Sequence, residues 1–128
     1  MSLAWVRTFC LSLPGTTEEI QWGDHLLFKI GGKMFAITSV DDPAAGMTVK
    51  ADPQEFDELV ERPGIIPAPY MARAKWVKLE SFDAVTRKEL QQLVQRSHDL
   101  VRAGLTKKAQ AELDKKPAVK KAAAKKKR

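Results

Sequence analysis

Basic side chains concentrate at the C-terminus, where their type and spacing suit contact with a polyanion rather than a chemical reaction. The last fifteen residues, 114–128, read DKKPAVKKAAAKKKR. Seven lysines and one arginine, less Asp114, give this segment a charge of +7, and the whole chain carries +6. Residues 1–113 therefore carry a net charge of −1. The basic residues are Lys115, Lys116, Lys120, Lys121, Lys125, Lys126, Lys127 and Arg128.

This segment is predicted to be a disordered tail, because lysine and alanine with one proline offer too little apolar surface to offset the entropy of ordering. On nucleic acid, each neutralised phosphate lowers log K by roughly 0.9 for a tenfold rise in salt, so about five contacts give a slope of about −4.5. Two alternatives stay open. The tail is solvated without a specific partner, or it meets acidic lipid or protein, although no apolar or lipid anchor accompanies it.

Residues suited to catalysis are few. Cys10 is the only cysteine, which excludes an intrachain disulfide and a CxxC metal site, and its apolar neighbours predict a buried thiol. Nucleophilic catalysis needs a nucleophile, a base and an orienting group in mutual reach. Of the two histidines, we expect His25 in a turn and His98 on the exposed side of the last helix. Surface or packing roles follow for both.

Two further patterns resemble reactive sites only in part. Asp41 and Asp42 form an acidic pair, but their position before Pro43 is typical of a turn. The run Gly31-Gly32-Lys33 lacks the longer glycine spacing and the strand-to-helix context of a phosphate-binding loop. We therefore expect no enzymatic activity, no cofactor, no metal and no small-molecule ligand.

The composition indicates one folded domain followed by the tail. Hydrophobic residues make up 44% of the chain, with three Trp and five Phe, which supports a core of ordinary size over residues 1–113. No apolar run approaches the roughly eighteen residues of a membrane span. The N-terminus has no positive charge before its apolar run, so it predicts a first helix rather than a signal peptide. We expect a cytoplasmic location.

Hydrophobic periodicity predicts the elements that hold these side chains. Helical spacing over residues 3–12 ends at Leu13-Pro14-Gly15. The period then changes to two, which predicts an antiparallel meander up to Lys50, with a tight hairpin at Gly31-Gly32 and a looser turn over residues 41–46.

The second half of the body returns to helices. Asp52-Pro53 predicts a helix start, and Thr86 with Glu89 has the spacing of a capping box before a long helix that ends at Gly104. We expect a loop over residues 65–70, a strand over 76–79 and a helical turn or two over 106–113. The sequence therefore predicts an α+β domain, with an antiparallel sheet that has helices packed on one face.

Several separated motifs occur in the order typical of one family. They are Leu13-Pro14-Gly15-Thr16-Thr17-Glu18-Glu19, Trp22-Gly23, Phe28-Lys29-Ile30, Gly32-Lys33-Met34-Phe35-Ala36, Pro67-Ala68-Pro69-Tyr70 and Trp76-Val77. In these motifs the chain resembles the MmcQ/YjbR family of small bacterial proteins over about residues 3–105. One departure is His98, where the family commonly has a tyrosine after the serine that matches Ser97.

The resemblance implies a frataxin-like (CyaY-like) fold and a DNA-binding role in which the sheet and its hairpins act as a double wing. Iron-handling members of that fold present clustered carboxylates on the first helix, whereas residues 2–12 here contain no Asp or Glu. We therefore expect no iron handling. A function inferred from fold alone is weak, because one scaffold hosts many functions, but the basic tail is an independent indication.

Body contacts to nucleic acid would come from basic residues on or beside the strands. Within the body they are Lys29, Lys33, Lys50, Arg73, Lys75 and Lys78. We select Lys33, Arg73, Lys75 and Lys78 as candidate nucleic-acid-binding residues. Arg73 and Lys75 lie in the loop after Tyr70 and beside Trp76, a basic and aromatic mixture that can stack on bases or hold phosphate. At a body charge of −1, a solvated sheet rim is the alternative.

Together these features predict a protein that binds double-stranded DNA with little sequence preference and is associated with the nucleoid. The sequence does not separate DNA from RNA and predicts no oligomeric state. The alternative function is a protein-interaction module whose basic tail only localises it, an idea that the slightly acidic body favours.

Overall fold

Six antiparallel strands form a single sheet, and the helices pack on one of its faces, as the periodicity predicts. The computed structural model describes residues 2–42 and 46–115. Its α-helices and strands are α1 (Leu3–Ser12), β1 (Thr16–Gln21), β2 (His25–Ile30), β3 (Lys33–Ser39), β4 (Met47–Lys50), α2 (Pro53–Leu59), β5 (Ile65–Pro67), β6 (Trp76–Leu79), α3 (Arg87–Ala103) and α4 (Lys107–Lys115). Short 3₁₀ helices occupy Ala72–Ala74 and Phe82–Ala84.

Local signals set the helix boundaries where they were predicted. Ser2 caps α1 by accepting a hydrogen bond from the Trp5 N–H, and Asp52 caps α2 through the Gln54 N–H. Thr86 and Glu89 form the predicted capping box of α3. Each cap satisfies N–H groups that the first turn of a helix leaves unpaired, and typically contributes about 1 kcal/mol.

The strand order is β1-β2-β3-β4-β6-β5, with every neighbouring pair antiparallel. One continuous core joins the sheet to α1, α2 and α3. Its fully buried side chains include Phe28, Phe35, Met47, Val77, Leu79, Leu90 and Val94. This confirms the α+β class with helices on one face.

One strand escaped prediction. We expected a loop over residues 65–70, because two prolines remove the periodicity, but Ile65–Pro67 forms β5 and pairs with β6. The prediction was wrong because β5 is the edge strand, where a proline removes no ladder hydrogen bond that a neighbouring strand needs.

Ser97 and His98 are two polar residues of α3 that lie in the interior, and His98 is more buried than predicted. Ser97 is fully buried and links two strands, since its hydroxyl donates to the Phe35 carbonyl at 2.6 Å and accepts from the Lys50 N–H at 2.9 Å. His98 is only 3% exposed, its Nε2 lies 2.8 Å from the Pro14 carbonyl oxygen, and its ring meets Phe35 edge-on. The expected exposed position of His98 was wrong because a polar side chain can be buried when a backbone group pairs with it.

The strand register defines two ends of the sheet. Ile30 pairs with both Thr16 and Lys33, and Lys50 pairs with Trp76, so these residues share one end. We call this the hairpin end. It carries the connections formed by residues 13–15, 31–32, 51–52 and 68–75, whereas the distal end carries residues 22–24, 40–46, 60–64 and 80–86.

Helix α4 lies across the hairpin end. A Cβ placed on Gly31 would come within 2.6 Å of Leu105 Cδ1, and a Cβ on Gly15 within 3.0 Å of Leu113 Cδ2. Both glycines have positive φ, +60° and +77°, so only glycine combines this backbone with such a close approach. Leu105 therefore packs on the hairpin and Leu113 on the connection between α1 and β1.

The last helix extends into the segment that was predicted to be the tail. The backbone of α4 continues through Asp114 and Lys115, two residues beyond the predicted end of the domain at residue 113. Residues 116–128, with the other seven basic residues of the tail, lie outside the described residues. Among the described residues, no helix combines the length and apolar character that crossing a membrane requires.

Candidate nucleic-acid interface

Charges in the connections segregate between the two ends of the sheet. The distal connections contain six acidic residues and one basic residue: Asp24, Asp41, Asp42, Glu61, Glu80, Asp83 and Arg62. The hairpin-end connections contain Arg73 and Lys75 against one acid, Asp52, which pairs with Arg96 at 3.1 Å. The connections at the two ends therefore carry net charges of −5 and +1, although two basic residues, Arg87 and Lys88, open α3 directly after the distal connections.

Lys33 and the first turn of α4 add to the basic end. Lys33 opens β3 directly after the Gly31-Gly32 hairpin, and its side chain is exposed. Lys107 and Lys108 begin α4 and are exposed as well. Since α4 runs from the hairpin toward Gly15, the chain leaves its last residue, Lys115, at the same end of the sheet.

The four body residues predicted to bind nucleic acid do not form one cluster. Lys33, Arg73 and Lys75 share the hairpin end, but Lys78 lies inside β6 opposite Thr48. Its neighbours Val77 and Leu79 face the core, so Lys78 lies on the sheet face away from the helices. There it borders a cavity of about 150 Å³.

Lys75 is partly engaged within the protein. Its Nζ lies 4.9 Å from the centre of the Phe56 ring, an arrangement that holds the ammonium by cation–π attraction. Its backbone carbonyl accepts the Ala51 N–H at 2.8 Å. Arg73, by contrast, is exposed at the start of the tight turn that Lys75 closes.

The aromatic residue available beside these cations is Tyr70 rather than Trp76. We expected Tyr70 and Trp76 to flank the two cations as aromatic partners, but Trp76 is only 8% exposed. Tyr70 is fully exposed, at 107% of the reference value. Both residues of the Trp76-Val77 pair are buried, which the alternation expected of a strand with one solvated face does not predict.

Two strand-to-strand connections lie at the hairpin end. The hairpin joins β2 to β3, and residues 68–75 join β5 to β6, so their centres lie three strand spacings apart, about 14 Å. The DNA major groove is about 12 Å wide. The turn between β3 and β4 lies at the distal end, so it cannot serve as the second wing beside the hairpin.

Lys29 and Lys50, the two remaining strand lysines, are less available. Lys29 forms an ion pair with Glu19, and a hydrogen bond from Gln21, followed by one from Lys29, holds the pKa of the Glu19 carboxyl below its usual value. Such an exposed pair contributes little to stability. Lys50 is half-buried at the end of β4.

A groove between α2 and α3 has a volume of about 890 Å³. Phe9, Leu59 and Leu93 supply its apolar lining. On its rim Arg62 contacts Glu89 at 2.8 Å and lowers the pKa of that carboxyl. Its lining within the described chain contains no histidine or cysteine, so it offers carboxylates and amides but no strong nucleophile.

The other reactive groups do not converge. Burial raises the pKa of the Cys10 thiol to about 12, which leaves it protonated and a poor nucleophile at neutral pH. His25 was expected in a turn but opens β2, where its Nδ1 lies 2.7 Å from Asp24 Oδ1. Within residues 2–42 and 46–115, no three His, Cys, Asp or Glu side chains group as a metal site would require.

Comparison with known proteins identifies the family and the fold. The family model for YjbR matches residues 11–100. A Deinococcus radiodurans protein with a DUF419 domain has a crystal structure that is similar with a TM-score of 0.78 and 29% sequence identity, covering 88% of each chain. A Pseudomonas syringae protein is similar in fold alone, with a TM-score of 0.65, 20% identity and coverage of 78% of this chain and 98% of its own. Comparison with curated proteins gives no significant match.

Proposed function

The chain belongs to the YjbR family, and we propose that it binds DNA with little sequence preference through its hairpin end and the basic tail. The observation that carries this proposal is the separation of charge between the two ends of the sheet. A polyanion is attracted to the end with Lys33, Arg73 and α4, and repelled by the acidic distal connections. The field of the body therefore orients the domain on a duplex even though its net charge is −1.

The position of α4 supports the same surface. Leu105, two residues before α4, and Leu113 within α4 both pack on the hairpin end, so the tail starts beside these connections rather than at a remote site. The thirteen residues from 116 to 128 can extend at most about 45 Å. Tail and body can thus contact one stretch of duplex, with the tail contributing most of the affinity by release of counterions.

The proposal assigns no catalytic step, metal or cofactor to the chain. Phosphate contacts fix position and orientation on DNA, whereas sequence is read at base edges. Lysine and arginine at the hairpin end suit the first role. A bacterial nucleoid would supply the duplex, and RNA remains a competitor for the same cations.

A salt titration tests the proposal. The full chain and a chain that ends at Lys115 are each titrated with a 20-base-pair duplex at several salt concentrations. The truncated chain keeps every described residue. We expect the full chain to bind with a steep negative dependence of log K on log salt, and truncation to reduce the slope by about 4.5, the share of about five phosphate contacts.

Two outcomes would contradict the proposal. Equal affinity before and after truncation would remove the tail from the interface, and affinity that does not fall with salt would remove the electrostatic mechanism. Replacing the DNA duplex by an RNA duplex of the same sequence measures the preference between the two.

The groove between α2 and α3 favours one rival function, a protein-interaction module. Its apolar residues Phe9, Leu59 and Leu93 lie within a charged and amide-rich rim, a composition that suits a protein partner. A truncated chain that has no affinity for duplex at low salt would favour this rival, because the tail alone would then account for DNA binding.

A further inference from the structure

We infer that the loop of residues 68–75 binds an unpaired nucleobase, which stacks on the Tyr70 ring while Arg73 contacts a neighbouring phosphate. The inference rests on the proposed function and narrows it. The preferred ligand is DNA that contains single-stranded segments, such as an overhang or a gap, rather than a blunt duplex.

The exposure of Tyr70 is the first observation. Three large hydrophobic side chains within the described residues are mainly exposed, and Tyr70, at 107%, exceeds Trp22 at 69% and Ile20. A side chain held this far out of the core adds little to folding stability, because it buries almost no apolar surface. A large aromatic face directed at solvent is therefore available to a ligand.

The backbone of Tyr70 is the second observation. Its φ is +64°, in the left-handed region that costs a non-glycine residue energy and that occurs mostly at functional or tightly turned positions. Elsewhere in the described residues, five glycines have a positive φ, Gly31 among them. At this position the chain keeps a ring instead.

Hydrogen bonds on both sides of Tyr70 hold the loop in shape. The Ala68 N–H donates to the Trp76 carbonyl at 3.0 Å, the Met71 N–H to the Ala68 carbonyl at 3.0 Å, and the Trp76 N–H to the Met71 carbonyl at 3.2 Å. Lys75, fixed on Phe56, anchors the far side. A ring on a rigid loop loses little conformational entropy on binding, which favours stacking.

The chemistry of the loop selects the ligand. In a duplex the faces of each base are covered by its neighbours, so a ring can stack only on a base that is unpaired or extruded. Stacking tolerates any base, because every base has a π-face, and each stacked base adds a contribution that corresponds to about a 5- to 150-fold gain in affinity. Arg73, exposed three residues later, supplies a cation for the phosphate.

The test compares three DNA ligands with the full chain: a 20-nucleotide single strand, a blunt 20-base-pair duplex and the same duplex with a single-stranded overhang. We expect Tyr70→Ala to weaken binding to the single strand and the overhang by about 5- to 150-fold. Binding to the blunt duplex should change by less than about twofold, and the salt slope should stay the same because no phosphate contact is lost.

Matched variants separate stacking from a general loss of structure. Tyr70→Phe keeps the ring and should bind as the unmodified chain does. Tyr70→Asn removes the ring with a residue that tolerates positive φ, so it should reproduce the loss without strain. Trp22→Ala removes the other exposed aromatic residue with positive φ, +55°, but at the distal end, and should leave all three affinities unchanged.

Failure of the inference and failure of the proposed function look different. If the full chain binds DNA but Tyr70→Ala and Tyr70→Asn bind the single strand normally, stacking is overturned while DNA binding stands. If both variants lose blunt duplex and single strand equally, the preference for unpaired bases is overturned. If the unmodified chain binds none of the three ligands, the proposed function itself fails, and the inference about Tyr70 fails with it.

Discussion

The hairpin end and the distal end are built from the same kinds of turn, yet they differ in charge and in what covers them. Six acidic residues lie in the distal connections, whereas the hairpin end carries Lys33, Arg73 and the two lysines in the first turn of α4. Exposed aromatic residues occur at both ends, Trp22 at one and Tyr70 at the other. Net charge alone is therefore a poor guide to binding, because a domain of charge −1 can present a basic surface on one side.

The largest effect should come from reversing charge at each end in turn. The double variant Lys33→Glu with Arg73→Glu removes two proposed phosphate contacts, each worth about 8-fold in affinity at 0.1 M salt, so binding to duplex should weaken by about 60-fold or more. The matched variant Asp41→Lys with Glu80→Lys reverses two exposed acids at the distal end. It should bind as well as the unmodified chain, or better.

Fluorescence anisotropy at fixed salt measures both variants, with thermal unfolding as a check on the fold. Equal losses of affinity for the two double variants would contradict the proposal, since the two ends of the sheet would then contribute equally to DNA binding.

A smaller effect is expected on stability, where substitutions at Gly31 in the hairpin and at Gly23 in a distal turn should differ. Gly31→Ala places a Cβ 2.6 Å from Leu105 Cδ1 at a φ of +60°, whereas no described atom lies within 4 Å of a Cβ on Gly23, whose φ is +83°. We expect Gly31→Ala to lower the free energy of unfolding by about 2 kcal/mol or more, from backbone strain and displacement of α4. Gly23→Ala should cost only the strain, about 1 kcal/mol.

Urea denaturation of the two variants provides the measurement. If Gly23→Ala proves as destabilising as Gly31→Ala, then the packing of Leu105 on the hairpin contributes nothing, and the position of α4 loses its support.

The smallest effect concerns Asp52, the acid in the hairpin-end connections. Asp52→Asn keeps an efficient helix cap but removes the negative charge and the pair with Arg96. Affinity for duplex should rise by less than the roughly 8-fold worth of a full phosphate contact, and the free energy of unfolding should fall by at most about 1 kcal/mol.

Glu80→Gln removes one charge at the distal end and serves as the control in the same assay. A larger gain from Glu80→Gln than from Asp52→Asn would place the DNA at the wrong end of the sheet.

Much of the fold follows from local sequence. The capping signals at Asp52 and Thr86 and the hairpin glycines predict element boundaries correctly, because they act over three or four residues. The edge strand β5 was missed because it depends on a contact that is distant in sequence. Its two prolines break the local pattern, and only its pairing with β6 makes it a strand.

The candidate site was predicted less completely than the fold. Lys33, Arg73 and Lys75 were selected by charge, and the structure places them at one end of the sheet. Lys78 was selected on the same ground but lies away from them on an open face. Tyr70 and Trp76 both flank these cations in sequence, but only Tyr70 is exposed, because exposure depends on packing across strands.

Local sequence predicted the helices, every strand except β5, the family and the basic charge of the tail, since each rests on residues close together in the chain. The tertiary structure alone decided which connections share an end, and with it the opposed charges of the two ends. It also decided that His98 is buried and Tyr70 exposed. The physical reason is that antiparallel pairing brings together turns that are distant in sequence, and neither composition nor periodicity records which turns those are.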